Sequence, residues 1–196
     1  MKTIFLIGGI ASGKSSAARE LERRGAVRID LDQVSREVLA PGSSLLPAIA
    51  REFGADLLDE AGSLNRGLLA QRAFASAEAT ARLEAIELPA ISDALAARLD
   101  GLETSECPPE LVVVEVPLPD RMGPMLGLAD VVVCVSCPIA VRRVRAIGRG
   151  MDGADFDRRA ARQLTDGQMA ALADIVLDNS GDEQALLRQL DQLLVG

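Results

Sequence analysis

Residues 8–15 read Gly8-Gly9-Ile10-Ala11-Ser12-Gly13-Lys14-Ser15, a G-x-x-x-x-G-K-[ST] pattern that follows an apolar run and opens a helical one. The residue types suit phosphate binding. Glycines permit a tight backbone path that aims successive N–H groups into one concavity, and the following helix adds its N-terminal dipole. Gly9, Ile10, Ala11, Ser12 and Gly13 would form the cradle, with Ser16 just beyond it. Lys14 would bridge the β- and γ-phosphates of a nucleoside triphosphate, and the Ser15 hydroxyl would coordinate Mg²⁺. Asp30 and Asp32 follow the second apolar run. The chain has no His, so a base accepting a hydroxyl proton must be a carboxylate, Lys, Cys or water. An Asp at a strand end is the natural candidate for a phosphoryl acceptor site, although Asp32 could instead cap a helix starting near Gln33.

Two further groups could handle charge. Residues 142–162 carry seven Arg against three Asp in a chain of net charge −8. Arg142, Arg145 and Arg149 recur at helical spacing, and Arg158, Arg159 and Arg162 follow a Gly-rich break at 148–153. Arginines beside such a break can stabilise a transferred phosphoryl group while a lid excludes water. Arg145 and Arg149 are therefore expected to act in a lid spanning about residues 145–160, and Arg143 and Arg158 to lie on a solvated face. Glu115 ends an apolar run in the manner of an acid that holds Mg²⁺ through water, though many strands end in an acid.

These groups need rigid elements behind them. Thr3–Ile7, Val27–Ile29, Leu111–Val116 and Val131–Val135 are near-continuous apolar runs, as expected of parallel strands covered on both faces, and Ile175–Leu177 is a weaker fifth. Helical patterns cover Ser15–Arg24, Gln33–Leu39, Ile139–Ile147, Asp155–Leu172 and Glu183–Leu194, with several more helices between Leu45 and Leu102. Alternating strands and helices predict one doubly wound α/β domain. The excursion over about residues 45–102 is too long for a plain crossover and is expected to form an acceptor-binding subdomain.

Composition excludes several function classes. Aromatic residues make up 2% of the 196, with no Trp or Tyr, so a base-stacking surface lacks its side chains. The acidic balance opposes broad phosphate-backbone binding, and no nucleic-acid partner is expected. No run approaches the length of a membrane span, and the short N-terminal apolar stretch passes straight into Gly-Lys-Ser. A soluble, cytoplasmic protein without a membrane partner is expected. Cys134 and Cys137 lack the second pair that a zinc site needs and read as core thiols. Only two Lys stand against nineteen Arg, and one of them is Lys14, which marks that position as wanting an ammonium.

Over nearly its whole length the chain resembles the bacterial dephospho-coenzyme A kinases. The resemblance rests on Gly8–Ser15, Ile29–Asp32, Pro41-Gly42, Phe53-Gly54, Gly62-Ser63-Leu64-Asn65-Arg66, Leu83–Ile86, Pro117-Leu118, Gln163 and Ala173–Asn179. It implies a P-loop kinase fold with a five-stranded parallel sheet, and transfer of the γ-phosphoryl of ATP to the ribose 3′-hydroxyl of dephospho-CoA. It further implies Asp32 as catalytic base, Arg66 facing the acceptor and Asn179 near the adenine of ATP. Asp30, Pro117 and Leu118 are expected on the acceptor side, with metal contact, support of Asp32 and satisfaction of backbone groups all open for Asp30. The chain departs from the family pattern at Ala11, Ser16, Leu88, Pro119–Arg121 and Met169, and its lid arginines align only with a one-residue deletion near the Gly-rich break. Two alternatives stay open at this point: a P-loop kinase for another small acceptor such as a nucleoside, nucleotide or shikimate-like molecule, and a nucleotide-binding regulator without catalysis.

Overall fold

A computed structural model describes residues 1–195. Five parallel strands form its sheet: β1 (Lys2–Ile7), β2 (Val27–Asp30), β3 (Leu111–Glu115), β4 (Val131–Ser136) and β5 (Ile175–Asp178), in the order β2-β3-β1-β4-β5. The central strand explains the continuous apolar runs. Ile4, Phe5, Leu6 and Ile7 of β1 are all essentially inaccessible, so both faces of the strand are covered. Ile4 and Leu6 join a core with Val113, Val133 and Val135, with Ala17, Ala18 and Leu21 of α1 (Lys14–Arg23), and with Leu186, Leu190 and Leu193 of the C-terminal helix. Those last three recur at one-turn spacing, which makes one apolar stripe. β5 reads weakly in sequence because it is an edge strand: Ile175 and Val176 are exposed and only Leu177 is buried.

The chain divides into two compact units, one made of Met1–Asp30 with the chain from Leu102 on, the other of Leu31–Gly101. The helical unit starts at Leu31, fourteen residues before the sequence pattern set the start of the excursion, because α2 (Leu31–Val38) clusters with it. It also holds α3 (Leu46–Phe53), α4 (Arg66–Ala73) and α5 (Ala77–Glu103) up to Gly101. Leu39, Leu46, Ile49, Phe53, Leu57, Leu69, Ala73, Ala79 and Leu83 form its own core. Asn65 starts α4 by accepting the Leu68 N–H at 3.0 Å.

The remaining helices belong to the sheet unit: α6 (Ile139–Gly148), α7 (Gly153–Ala160), α8 (Asp166–Ala171) and α9 (Glu183–Val195). The single helix expected over 155–172 is in fact two. Thr165 and Gln168 close a capping box that starts α8 afresh. Gln163 thus falls in the connection rather than on a helix, which bears directly on the site.

Candidate nucleotide site

The phosphate loop leaves β1, the strand beside which chain order reverses across the sheet, where open α/β sheets bind ligands at their carboxyl ends. Gly13, at φ 104°, precedes α1, whose N-terminus carries no side-chain cap. An uncapped helix start presents donors and positive dipole to an anion. The loop glycines are required for space as well as for torsion. A Cβ on Gly9 would overlap the Arg142 guanidinium, and one on Gly13 would overlap the Asn179 carboxamide. Ala11 adopts φ 59°, the one positive φ outside glycine among the described residues, a torsion that favours glycine.

Polar side chains hold this loop from within the sheet unit. Asn179, just after β5 and 8% exposed, donates from Nδ2 to the Ser12 carbonyl at 2.7 Å. The Ile10 N–H donates to Gln163 Oε1 at 2.7 Å. Lys14 Nζ donates to the Val116 carbonyl at 3.1 Å, just past β3. Ser12 Oγ is buried without a hydrogen-bond partner. A hydroxyl in that state costs free energy unless something satisfies it, and phosphate oxygens are suitable acceptors. Uncapped helix, glycine path, ammonium and orphan hydroxyl together fit a nucleotide polyphosphate. Ser15 and Ser16 lie exposed in the first turn of α1.

The carboxylates are distributed differently from each other. Asp30 and Glu115 are register partners at the ends of β2 and β3, and Arg28 ties them together. Its guanidinium sits 2.5 Å from the nearly buried Glu115 carboxylate and 3.9 Å from Asp30. Sequence reading missed Arg28, although its i, i+2 spacing to Asp30 puts both on one face of the strand. Asp32 lies in the exposed first turn of α2. Pro117 is half-buried and Leu118 exposed after β3. The segment Pro119–Arg121 forms a 3-10 turn with an Asp120–Arg121 ion pair.

The arginines separate by burial. Arg149 is exposed at the end of α6. Arg145 donates from Nη1 to the Asn179 carbonyl at 2.8 Å and from Nη2 to the Gly181 carbonyl at 3.2 Å, so it holds the loop after β5. Arg142, which sequence reading left outside the site, is the buried one. In the helical unit Arg66 donates from Nη2 to the carbonyls of Arg36 and Leu39 at 2.8 and 3.2 Å, closing the end of α2. Beside it, burial pushes the Glu87 carboxyl up to about 7; Arg66 opposes the shift and Glu84 adds to it. Nothing in the sequence pattern singled out Glu87. Burial likewise raises the Cys134 and Cys137 thiols, which keeps them protonated core groups.

A sequence model of the dephospho-CoA kinase family matches residues 2–185. The chain belongs to that family. A dephospho-CoA kinase of Anaeromyxobacter dehalogenans is 41% identical over 99% of this chain and 91% of its own length. One from Corynebacterium diphtheriae is 39% identical over 98% and 96%. Among solved structures, a Thermus thermophilus protein superposes with a TM-score of 0.81 at 28% identity, covering 99% of this chain and 96% of that one. The Campylobacter jejuni dephospho-CoA kinase, at 21% identity, covers 100% of this chain and 96% of its own with a TM-score of 0.73, and supports the fold alone. A shikimate kinase from Bacteroides thetaiotaomicron shares the fold more loosely, at 0.52 and 15% identity over 99% of this chain and 97% of that one. The expected P-loop kinase fold with five parallel strands is therefore observed, and the chain is a kinase of this family. Among the described residues no helix is long and apolar enough to cross a membrane.

Proposed function

We propose that this chain transfers the γ-phosphoryl of ATP to the ribose 3′-hydroxyl of dephospho-CoA, giving coenzyme A. The observation that carries the reading is the phosphate loop, with its uncapped helix, Lys14 and orphan Ser12 hydroxyl, in a chain of this family. Backbone N–H groups of the Gly9–Gly13 loop, other than those of Ile10 and Ser12 that bond Gln163 and the Gly9 carbonyl, would bind the phosphates, and Lys14 would follow the developing charge between the β- and γ-groups. Asn179 would hold the loop near the adenine. Asp32 would orient the acceptor hydroxyl and take its proton. Arg66 would meet the acceptor through Nε and Nη1, with Asp30, Pro117 and Leu118 on the acceptor side.

Ser15 as a direct ligand and Glu115, engaged by Arg28, through water would hold Mg²⁺, which would supply neutralisation of phosphate charge. Arg149, at the exposed end of α6, would reach the transferred group directly. Arg145 would contribute by fixing the Asn179 loop. With little covalent chemistry for the protein to supply, positioning and charge stabilisation would account for most of the rate.

The test is ADP release from Mg-ATP with dephospho-CoA, with a panel of nucleosides and with shikimate. Release stimulated only by dephospho-CoA, with a product of coenzyme A mass, is the expected result; stimulation by another acceptor would overturn the substrate assignment. Asp32→Asn is expected to lower kcat by a factor of about 10²–10⁴ and leave ATP affinity within about twofold. Near-normal turnover in that variant would remove Asp32 as the base.

A further inference from the structure

We propose that Arg142 is a positioning residue of the phosphate loop: its buried guanidinium holds the Gly9–Ile10 backbone in the shape that binds nucleotide phosphates. The inference rests on the reading of that loop as an ATP site.

Arg142 is 4% exposed, whereas Arg143 of the same helix and Arg149 just past its end lie at the surface. Burying a guanidinium is costly, and an apolar side chain of similar volume would fill the space at less cost, so stability gives no reason for its presence. Its bonding supplies one. Nε donates to the Cys137 carbonyl at 2.8 Å, Nη1 to the Ile10 carbonyl at 3.4 Å, and Nη2 pairs with Asp166 at 2.6 Å. These acceptors belong to the approach to α6, the phosphate loop and the first turn of α8. The planar fork therefore joins three chain segments at once, two through backbone carbonyls and one through the Asp166 carboxylate, a task that a lysine's single ammonium cannot perform.

The contact with the loop is close. The guanidinium fills the space where a Gly9 Cβ would lie, so the loop backbone rests directly on it. The same peptide unit has a second tether, because the Ile10 N–H bonds Gln163, three residues before Asp166. Both polar groups of Ile10 are thus held by side chains from the 142–166 stretch. The net positive patch legible in the sequence has a buried member whose work is to shape the loop rather than to meet the transferred phosphoryl group. A loop held in its binding shape before the ligand arrives loses less freedom on binding, which raises affinity without a new contact.

Calorimetric ATP affinity, KM for each substrate and the ligand-free melting temperature would be measured for Arg142→Lys, Arg142→Ala, Asp166→Asn and Gly9→Ala. Arg142→Lys and Arg142→Ala are expected to weaken ATP binding about tenfold, with KM for dephospho-CoA within twofold, as loss of charge-assisted bonds to the loop predicts. Asp166→Asn should lose about threefold, since one of three anchors weakens. Gly9→Ala, which displaces the guanidinium, should reproduce the loss alone but add less than about twofold in the Arg142→Ala background. ATP affinity within twofold of wild type in a folded Arg142→Lys protein would overturn the proposal. So would ATP affinity, dephospho-CoA affinity and melting temperature all falling together, which is the mark of a merely structural residue. A wild-type protein that bound no ATP would instead overturn the reading of the site on which the proposal rests.

Discussion

At the residue scale, two positions in the sheet unit carry free energy that substitution should reveal. Ala11 holds φ 59°, a conformation that costs a residue with a Cβ about 1–2 kcal/mol. Glycine removes that strain but adds freedom to the unfolded chain, worth roughly 0.5–1 kcal/mol. Ala11→Gly is accordingly expected to raise stability by up to about 1 kcal/mol in chemical denaturation, with ATP affinity unchanged or improved. A loss of stability would mean that the alanine methyl packs usefully. The Arg28–Glu115 pair behaves in the opposite way. Glu115 is 4% exposed, so Arg28→Met strands a buried carboxylate and should cost on the order of 3 kcal/mol. The double variant Arg28→Met/Glu115→Gln should recover most of that loss, because the pair matters mainly through the penalty of breaking it. A double variant as unstable as the single would show that Arg28 supports the strand ends in some other way.

At the element scale, α5 runs unbroken through Pro89 for 27 residues, although a proline costs a helix interior a hydrogen bond. Leu83, Ile91, Leu95 and Leu99 are buried along it at helical spacing, and that burial outweighs the local defect. Glu87 rides on the same helix. Its folded-state pKa of about 7 lies above the ordinary 4.5, so the folded protein binds this proton more tightly than the unfolded chain does. Stability from this group is therefore complete at low pH and lost as pH rises between 4.5 and about 7. Glu87→Gln should raise the melting temperature at pH 8 by several degrees, an effect of about 1–3 kcal/mol, and change it little at pH 5. Equal effects at both pH values would show that burial of the carboxylate is not the cause. Thr165 and Gln168 show a different balance. Their T-x-x-Q capping box was present in the sequence as a helix-start signal, yet the apolar positions around it suggested one continuous helix.

At the scale of the whole molecule, a chain of net charge −8 has to gather positive potential locally to hold a polyphosphate. It does so with backbone donors, Lys14 and a guanidinium behind the loop. Binding should therefore stabilise the fold by mass action. At a hundredfold excess over Kd, ATP should add about 2.7 kcal/mol, or roughly 5–10 °C of melting temperature. Lys14→Met should abolish most of that shift while leaving the ligand-free melting temperature close to wild type. An undiminished shift would mean that the nucleotide binds elsewhere.

The phosphate loop, the five strands and the family were legible in the amino-acid sequence because their constraints are local. A glycine path, one lysine and near-continuous apolar runs each state a requirement that neighbouring residues satisfy. Arg142 was not legible in that way. Seven arginines share one stretch, and the one that is buried is chosen by the Ile10 carbonyl 132 residues away and by Asp166. The same holds for Arg28, whose i, i+2 relation to Asp30 was visible but whose tie to Glu115 needed the register of β2 on β3. Glu87 needed burial in the folded chain to desolvate it. The sequence by itself determined which chemistry the chain carries. Only the tertiary structure decided which charges are removed from water and which carbonyls receive them, because desolvation and long-range hydrogen bonding depend on what packs overhead and not on what comes next in the chain.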